Sequence, residues 1–218
     1  MNRAGAGAGG IKNLTTPLSE GDIRELKVGD SVSLNGVMIT GRDRAHQWLY
    51  DTFLQKKCPP GEEDLRVYRA IEPILKDGIL YHCGPVVSRL ANGEYRFVAA
   101  GPTTSIREEP FQAEIMRHFG MKGVIGKGGM AEKTLQECRE GPAVYFHAIG
   151  GAASLIAGSV RRVLAVHKLD FGIPEAIWVI EVRNFPVVVT MDSFGQSLHD
   201  RVRHSSKDEL ERLLERGY

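Results

Sequence analysis

Three times in this chain an apolar run stops at a glycine, and the residues that follow carry a cation. The first is Ile39-Thr40-Gly41-Arg42. The second is Ala100-Gly101-Pro102-Thr103-Thr104-Ser105-Ile106-Arg107, and the third is Ile125-Gly126-Lys127-Gly128-Gly129. Each reads as a strand that turns into a helix, which constrains the fold to helices layered on a mixed sheet, an α/β class. A helix start offers outward-facing N–H groups and the positive end of the helix dipole. In open α/β sheets, ligands bind beyond the carboxyl ends of the strands, where such loops gather. A single arginine after a glycine turn is usually a solvated surface group. Three such loops together offer Arg42, Arg107 and Lys127 with the hydroxyls of Thr103, Thr104 and Ser105, a set suited to a small diacid. Arginine grips a carboxylate with a two-pronged fork, and lysine acts as a compact charge.

The remaining text is consistent with one layered domain. Residues 31–34 and 37–40 alternate around Asn35-Gly36, the pattern of a β-hairpin. A helix after Asp43 carries Trp48, Leu49, Thr52 and Phe53 and stops at the prolines after Cys58. Residues 60–75 are polar with little period and read as a surface excursion. Strands are expected at 79–82, 95–100, 123–126, 143–147, 162–167, 176–182 and 186–190. Helices are expected over Phe111, Ile115 and Phe119, from Met130, and over 149–160. A last helix is expected to open at the capping box Ser206-x-x-Glu209, with a stripe of Leu210, Leu213 and Leu214 and a stop at Gly217. No linker follows residue 20, so a domain over 14–218 is expected behind a flexible tail, 1–13. Gly5, Gly7 and Gly10 fit the dinucleotide fingerprint formally, but no strand precedes them to aim the turn.

Several functions are disfavoured. The chain has 28 Lys and Arg against 27 Asp and Glu, a formal net charge of +1, without the basic excess that nucleic-acid binding requires. The charged segments mix signs, which argues against a membrane surface, and no apolar run approaches the ~18 residues of a membrane span. Three cysteines, Cys58, Cys83 and Cys138, stand at irregular spacings. They point to a reducing, cytoplasmic setting and to no zinc or iron–sulfur site held by this chain. Cys58 reads as exposed, and Cys83 and Cys138 as small apolar packing groups. The phosphate-loop, zinc-protease and serine-elbow motifs are missing. His82, His118, His147 and His167 read as core or edge residues. His46 and His199 fall near the loops without a nucleophile at motif spacing.

The motifs Gly101-Pro102-Thr103-Thr104-Ser105-x-Arg107, Gly126-Lys127-Gly128-Gly129-Met130, the run from Ala148 to Ala153, Glu175-Ala176-Ile177-Trp178 and Asp192-Ser193 through His199 occur in an order that resembles the class I, iron–sulfur fumarase and L-tartrate dehydratase family, in its β subunit or carboxy-terminal domain. The resemblance covers the chain from about Leu14 to His199. It implies a swivelling β/β/α fold and a split enzyme: a 4Fe-4S cluster held by a partner α subunit, in an α2β2 assembly, with this chain supplying the other wall of the pocket. It implies hydration of fumarate to L-malate, with tartrate dehydration or a non-catalytic dicarboxylate-binding domain as alternatives. Carried onto this sequence, it makes Arg42 and Thr104 substrate contacts and Arg107 and Lys127 substrate contacts that also assist catalysis. Thr103 becomes the proton acceptor, and no metal ligand falls in this chain. The family usually has Met where this chain has Glu108, a carboxylate expected to compete for Arg107. His82 stands where a small or aromatic residue is common.

Overall fold

The computed structural model describes residues 10–57 and 59–215. Gly5 and Gly7, the expected exposure of Cys58 and the expected stop at Gly217 lie outside the described residues. In chain order the elements are β1 (Lys12–Thr15), α1 (Glu20–Arg24), β2 (Ser31–Gly41), α2 (Asp43–Leu49), α3 (Glu62–Leu75), β3 (Ile79–His82), β4 (Val86–Arg89), β5 (Tyr95–Ala99), α4 (Glu109–Phe119), β6 (Gly123–Gly126), α5 (Glu132–Glu140), β7 (Val144–His147), α6 (Ala153–Ala157), β8 (Val160–His167), β9 (Ile177–Met191) and α7 (Leu198–Glu215). Among these helices none is long and apolar enough to cross a membrane.

Strands β2, β3, β6 and β7 lie side by side and parallel. The long β9 runs antiparallel to β7 and also to β2, closing five strands into a ring. β1 extends this partial barrel beside β2, and β8 does so beside β9. β3 and β6 are four-residue strands buried throughout, as parallel strands covered on both faces must be.

Side chains along these strands alternate between two cores, as the two-residue period of a strand dictates. Met38, Tyr81, Ile125, Phe146, Trp178 and Ile180 fill the barrel side. Their neighbours Ile39, Leu80, Val124, Tyr145 and Val179 face the other way, against Leu49, Ile71, Ile115 and Leu135 of α2, α3, α4 and α5. Both the mixed sheet and the helical layer match the α/β expectation. A two-stranded hairpin, β4 with β5, stands apart from the ring and packs Phe97 and Tyr95 edge-on against Trp178.

Several local expectations are corrected. Asn35-Gly36 makes no hairpin. It is a bulge inside the eleven-residue β2, where the pairing with β9 shifts between Leu34 and Gly36. Gly36 sits at φ +98°, and Thr16 crosses so closely that a Cβ there would fall 2.4 Å from its Oγ1. Residues 60–75 are mostly helix: Asp64 accepts the Gly61 N–H to start α3, and Val67, Ile71 and Leu75 bury one stripe. The runs 176–182 and 186–190 belong to one strand, β9, which continues through a left-handed Asn184. The last helix begins at Leu198, so Ser206 lies in its interior, and its leucines stay exposed. The helix expected over 149–160 shortens to α6 after a single tight turn. β1 starts at Lys12, inside the segment expected as tail.

Candidate anion-binding site

The parallel strands end level. Gly41 pairs with His82, Tyr81 with Ile125, and Gly126 with His147. The residues that leave the sheet next are therefore neighbours along one edge: Arg42, Cys83, Lys127 and Ala148. Adjacent strands are about 4.8 Å apart, so the Arg42 and Lys127 backbones leave roughly 10 Å from each other.

The loop after β5 comes from the separate hairpin and is tied to this edge by main-chain bonds. Thr103 N–H donates to His82 O at 2.7 Å, Lys127 N–H to Thr103 O at 3.2 Å, and Ser105 N–H to Lys127 O at 3.1 Å. Thr103 and Thr104 thus lie alongside Lys127 like one more short strand, and the chain then turns through residues 105–108 into α4. Arg42, Thr103, Thr104, Arg107 and Lys127 are brought to one edge.

The charges there nearly cancel. Arg42 lies 3.3 Å from Glu175 and 3.6 Å from Asp43, while Arg107 reaches the same Asp43 at 3.1 Å. Glu175 is held by the Arg44 N–H at 3.1 Å. No ion pair among the described residues includes Lys127, whose stem lies against Gly150. Thr103 Oγ1 is buried and has no hydrogen-bond partner, and the same holds for Arg42 Nε and Ser193 Oγ. Such groups have bonding capacity left for a ligand. Asp43 and Glu175 carry no mark in the sequence beyond their closeness to Arg42 or to a motif.

Beneath the loops lies a polar cluster that sequence reasoning missed. His46, His82, Ser105, Glu108 and Gln112 are all fully buried. Burial lowers the basicity of both imidazoles, and for His82 the neighbouring His46 adds to the effect. Glu108 was expected to compete for Arg107. Instead its side chain turns inward, 3.5 Å from His46 Nδ1, with neither carboxyl oxygen receiving a donor. Burial, reinforced by Asp43, pushes its pKa up to about 8.

His199 stacks its ring under Gly129 and lies 2.9 Å from Thr190 Oγ1, so it supports the Lys127 loop, with His147 beside it. His118 is at the outer surface, against Tyr68. Cys83 and Cys138 are buried free thiols, matching the packing role expected of them. Burial raises the pKa of Cys83 to about 12 and pushes that of Cys138 up as well. No cluster of three or more His, Cys, Asp or Glu side chains among the described residues has a metal-binding arrangement. Among the described residues the two thiols, Cys83 and Cys138, are buried in different cores, an arrangement that does not fit an iron–sulfur cluster, which needs thiolates gathered at one place.

The family model described as Fumarase C-terminus matches residues 9–202. A relative from Geobacillus stearothermophilus, named for class I fumarate hydratase, is 48% identical over 94% of this chain, and the chain spans 37% of that relative's length. A relative from Methanocaldococcus jannaschii, named for the L(+)-tartrate dehydratase β subunit, is 36% identical over 90% of this chain and 95% of its own length. The L(+)-tartrate dehydratase β subunit of Escherichia coli (strain K12) is 34% identical, covering 86% of each chain.

Proposed function

The chain belongs to the Fumarase C-terminus family, and on that premise we propose that it is the β subunit of a class I fumarate hydratase, a hydro-lyase that interconverts fumarate and L-malate together with an α subunit. In this reading the domain is of the swivelling β/β/α type, and the 4Fe-4S cluster belongs to the α subunit, in an α2β2 assembly. The observation that carries the reading is the single edge holding Arg42, Thr103, Thr104, Arg107 and Lys127, with the Thr103 hydroxyl unpartnered.

Each residue has a physical part to play. Arg42 and Lys127, leaving the sheet roughly 10 Å apart, hold the two ends of a four-carbon diacid. Arg107 and Lys127 neutralise one carboxylate, which makes the proton on the adjacent carbon easier to remove. The Thr103 hydroxyl relays that proton to water as the C–O bond on the neighbouring carbon breaks and the hydroxyl departs, so that H+ and OH− together leave as one water molecule. A hydroxyl is a weak base, so its use depends on this neutralisation. Asp43 and Glu175 hold the arginines until the diacid takes their place.

A second reading, an L(+)-tartrate dehydratase β subunit, is favoured by the 34–36% identity to two such chains over 86–95% of their length. One assay separates the two. The chain is combined anaerobically with its α partner, and the loss of fumarate and of tartrate is followed in parallel. Lys127→Ala and Arg107→Ala are each expected to lower turnover about 100-fold, the cost of losing one preorganised charge donor. Unchanged turnover in either variant would overturn the catalytic roles of Lys127 and Arg107, and turnover of tartrate alone would select the second reading.

A further inference from the structure

Behind the edge, three buried side chains form a polar link whose ends reach two different loops. Gln112, in the first turn of α4, places its carboxamide Oε1 3.0 Å from His46 Nε2 and 2.8 Å from His82 Nε2. The Arg42 carbonyl fixes the proton of a neutral His46 on Nδ1, so its bare Nε2 needs a donor. The Gln112 amide nitrogen, left without a partner when the oxygen faces the rings, gives one N–H to each ring once the carboxamide is turned end for end. The far nitrogen of each ring reaches a loop. His46 Nδ1 is 2.9 Å from the Arg42 carbonyl, and His82 Nδ1 is 2.8 Å from Ser105 Oγ. Because the His82 carbonyl also takes the Thr103 N–H, His82 holds both ends of the turn from Thr103 to Ser105. Tyr145 steadies the same hydroxyl by donating to Ser105 Oγ at 2.8 Å. A Cβ on Gly126 would fall 1.8 Å from that Oγ, so the turn sits flush against β6.

Apolar side chains would fill this volume without the desolvation cost of an amide and two imidazoles. What the polar trio adds is direction, since each ring nitrogen specifies one partner and one distance. We infer that Gln112 is a positioning residue: by joining His46 to His82 it sets the separation between the Arg42 main chain and the Thr103–Ser105 turn, so that guanidinium and hydroxyl meet the same diacid. Gln112 itself lies behind the loops and bonds to neither of those two groups. The inference rests on the proposed reading of that edge, and its test has one arm that does not.

The variant is Gln112→Met, which keeps side-chain length and removes the hydrogen bonds, with Gln112→Glu as the conservative partner that keeps a hydrogen-bonding group facing both rings. In the isolated full chain, nitrogen NMR of the imidazoles and amide shifts of Arg42, Thr103 and Ser105 are read first. Gln112→Met is expected to move all of them while leaving β8 unmoved and the melting temperature within a few degrees. In the complex with the α partner, kcat is expected to fall about 10- to 100-fold with KM changed less than about threefold, the signature of misplacement rather than lost binding. Gln112→Glu is expected to recover most of both signals. Unmoved loop amides in Gln112→Met would overturn the inference, and so would moved amides with unchanged turnover. A wild-type complex inert toward both diacids would instead count against the proposed function, and the loop shifts would still decide whether Gln112 links the loops.

Discussion

Glu108 is a carboxyl group in a place that penalises its charge. It is fully buried, its carboxyl group receives no donor, and the hydrogen bond a protonated Glu108 gives to the Asp43 carboxylate, with the charges of Asp43 and Glu175, opposes ionisation more than Arg107 favours it. Its pKa of about 8, against 4.5 for the free side chain, means the folded chain keeps a proton that the unfolded chain has released. Between those values the folded state binds more protons, so stability falls as pH rises, and the cost is fully present above about pH 8. Glu108→Gln keeps the shape and removes the titration. The variant is therefore expected to be more stable than wild type at pH 8.5, by an amount on the order of a few kcal/mol, with the difference vanishing near pH 4.5. Urea unfolding across that pH range reads it, and a difference independent of pH would show that Glu108 carries its charge in the fold. The sequence marks this residue only as a departure beside Arg107, and adjacency in sequence misled. Successive residues of a tight helical turn point in different directions, so Arg107 goes outward to Asp43 while Glu108 goes inward to His46.

At the scale of elements, the bulge of β2 decides how the barrel starts. Gly36 combines a left-handed backbone with a crossing chain at Thr16, whereas Gly29, at φ +101°, has nothing within 4 Å of where a Cβ would stand. Gly29→Ala is expected to lose about 1 kcal/mol from backbone strain alone. Gly36→Ala should lose about 2–4 kcal/mol because it must also push Thr16 away from β2. Equal losses in urea would mean that the Thr16 crossing adds nothing. The same element shows where sequence reading stops. Asn-Gly between alternating runs codes equally for a turn or a bulge, and the choice lies in Thr16, some twenty residues earlier. In α3 the polar surface residues hid a stripe of only three buried side chains, too sparse to stand out. The strand-then-glycine-then-cation text did locate Arg42 and Lys127 at strand ends, because a sheet of parallel strands leaves its carboxyl ends nowhere else to go. Thr103, in contrast, follows the separate hairpin and reaches that edge only through main-chain bonds to His82 and Lys127. The buried link through Gln112 was not legible, because nothing in a lone Gln or His distinguishes a paired interior position from a surface one.

Taken whole, the molecule leaves apolar surface around the edge that carries the site. Ile106 beside Arg107, and Leu198 and Val202 of α7, line one cavity of about 750 Å³ with Gly128 and Met130. Ile149 is 66% exposed and Leu155 74% exposed on the stretch that flanks Lys127. The described part of α7 buries no residue, and Leu210 and Leu214 remain more than half exposed. A helix of 18 residues with so little packing is marginal by itself in water. Apolar side chains concentrated around a charged site are expected where another protein closes over it. Amide hydrogen exchange in the isolated chain should therefore show residues 200–215 opening far faster than β6 and β7. Adding the proposed α partner should slow exchange in α7, around Ile106 and around Ile149, with β8 unchanged. Protection appearing at β8 instead would put the partner on the far side of the barrel. The proposed anion-binding edge would then face solvent, and these residues could not form one wall of a pocket shared between two chains.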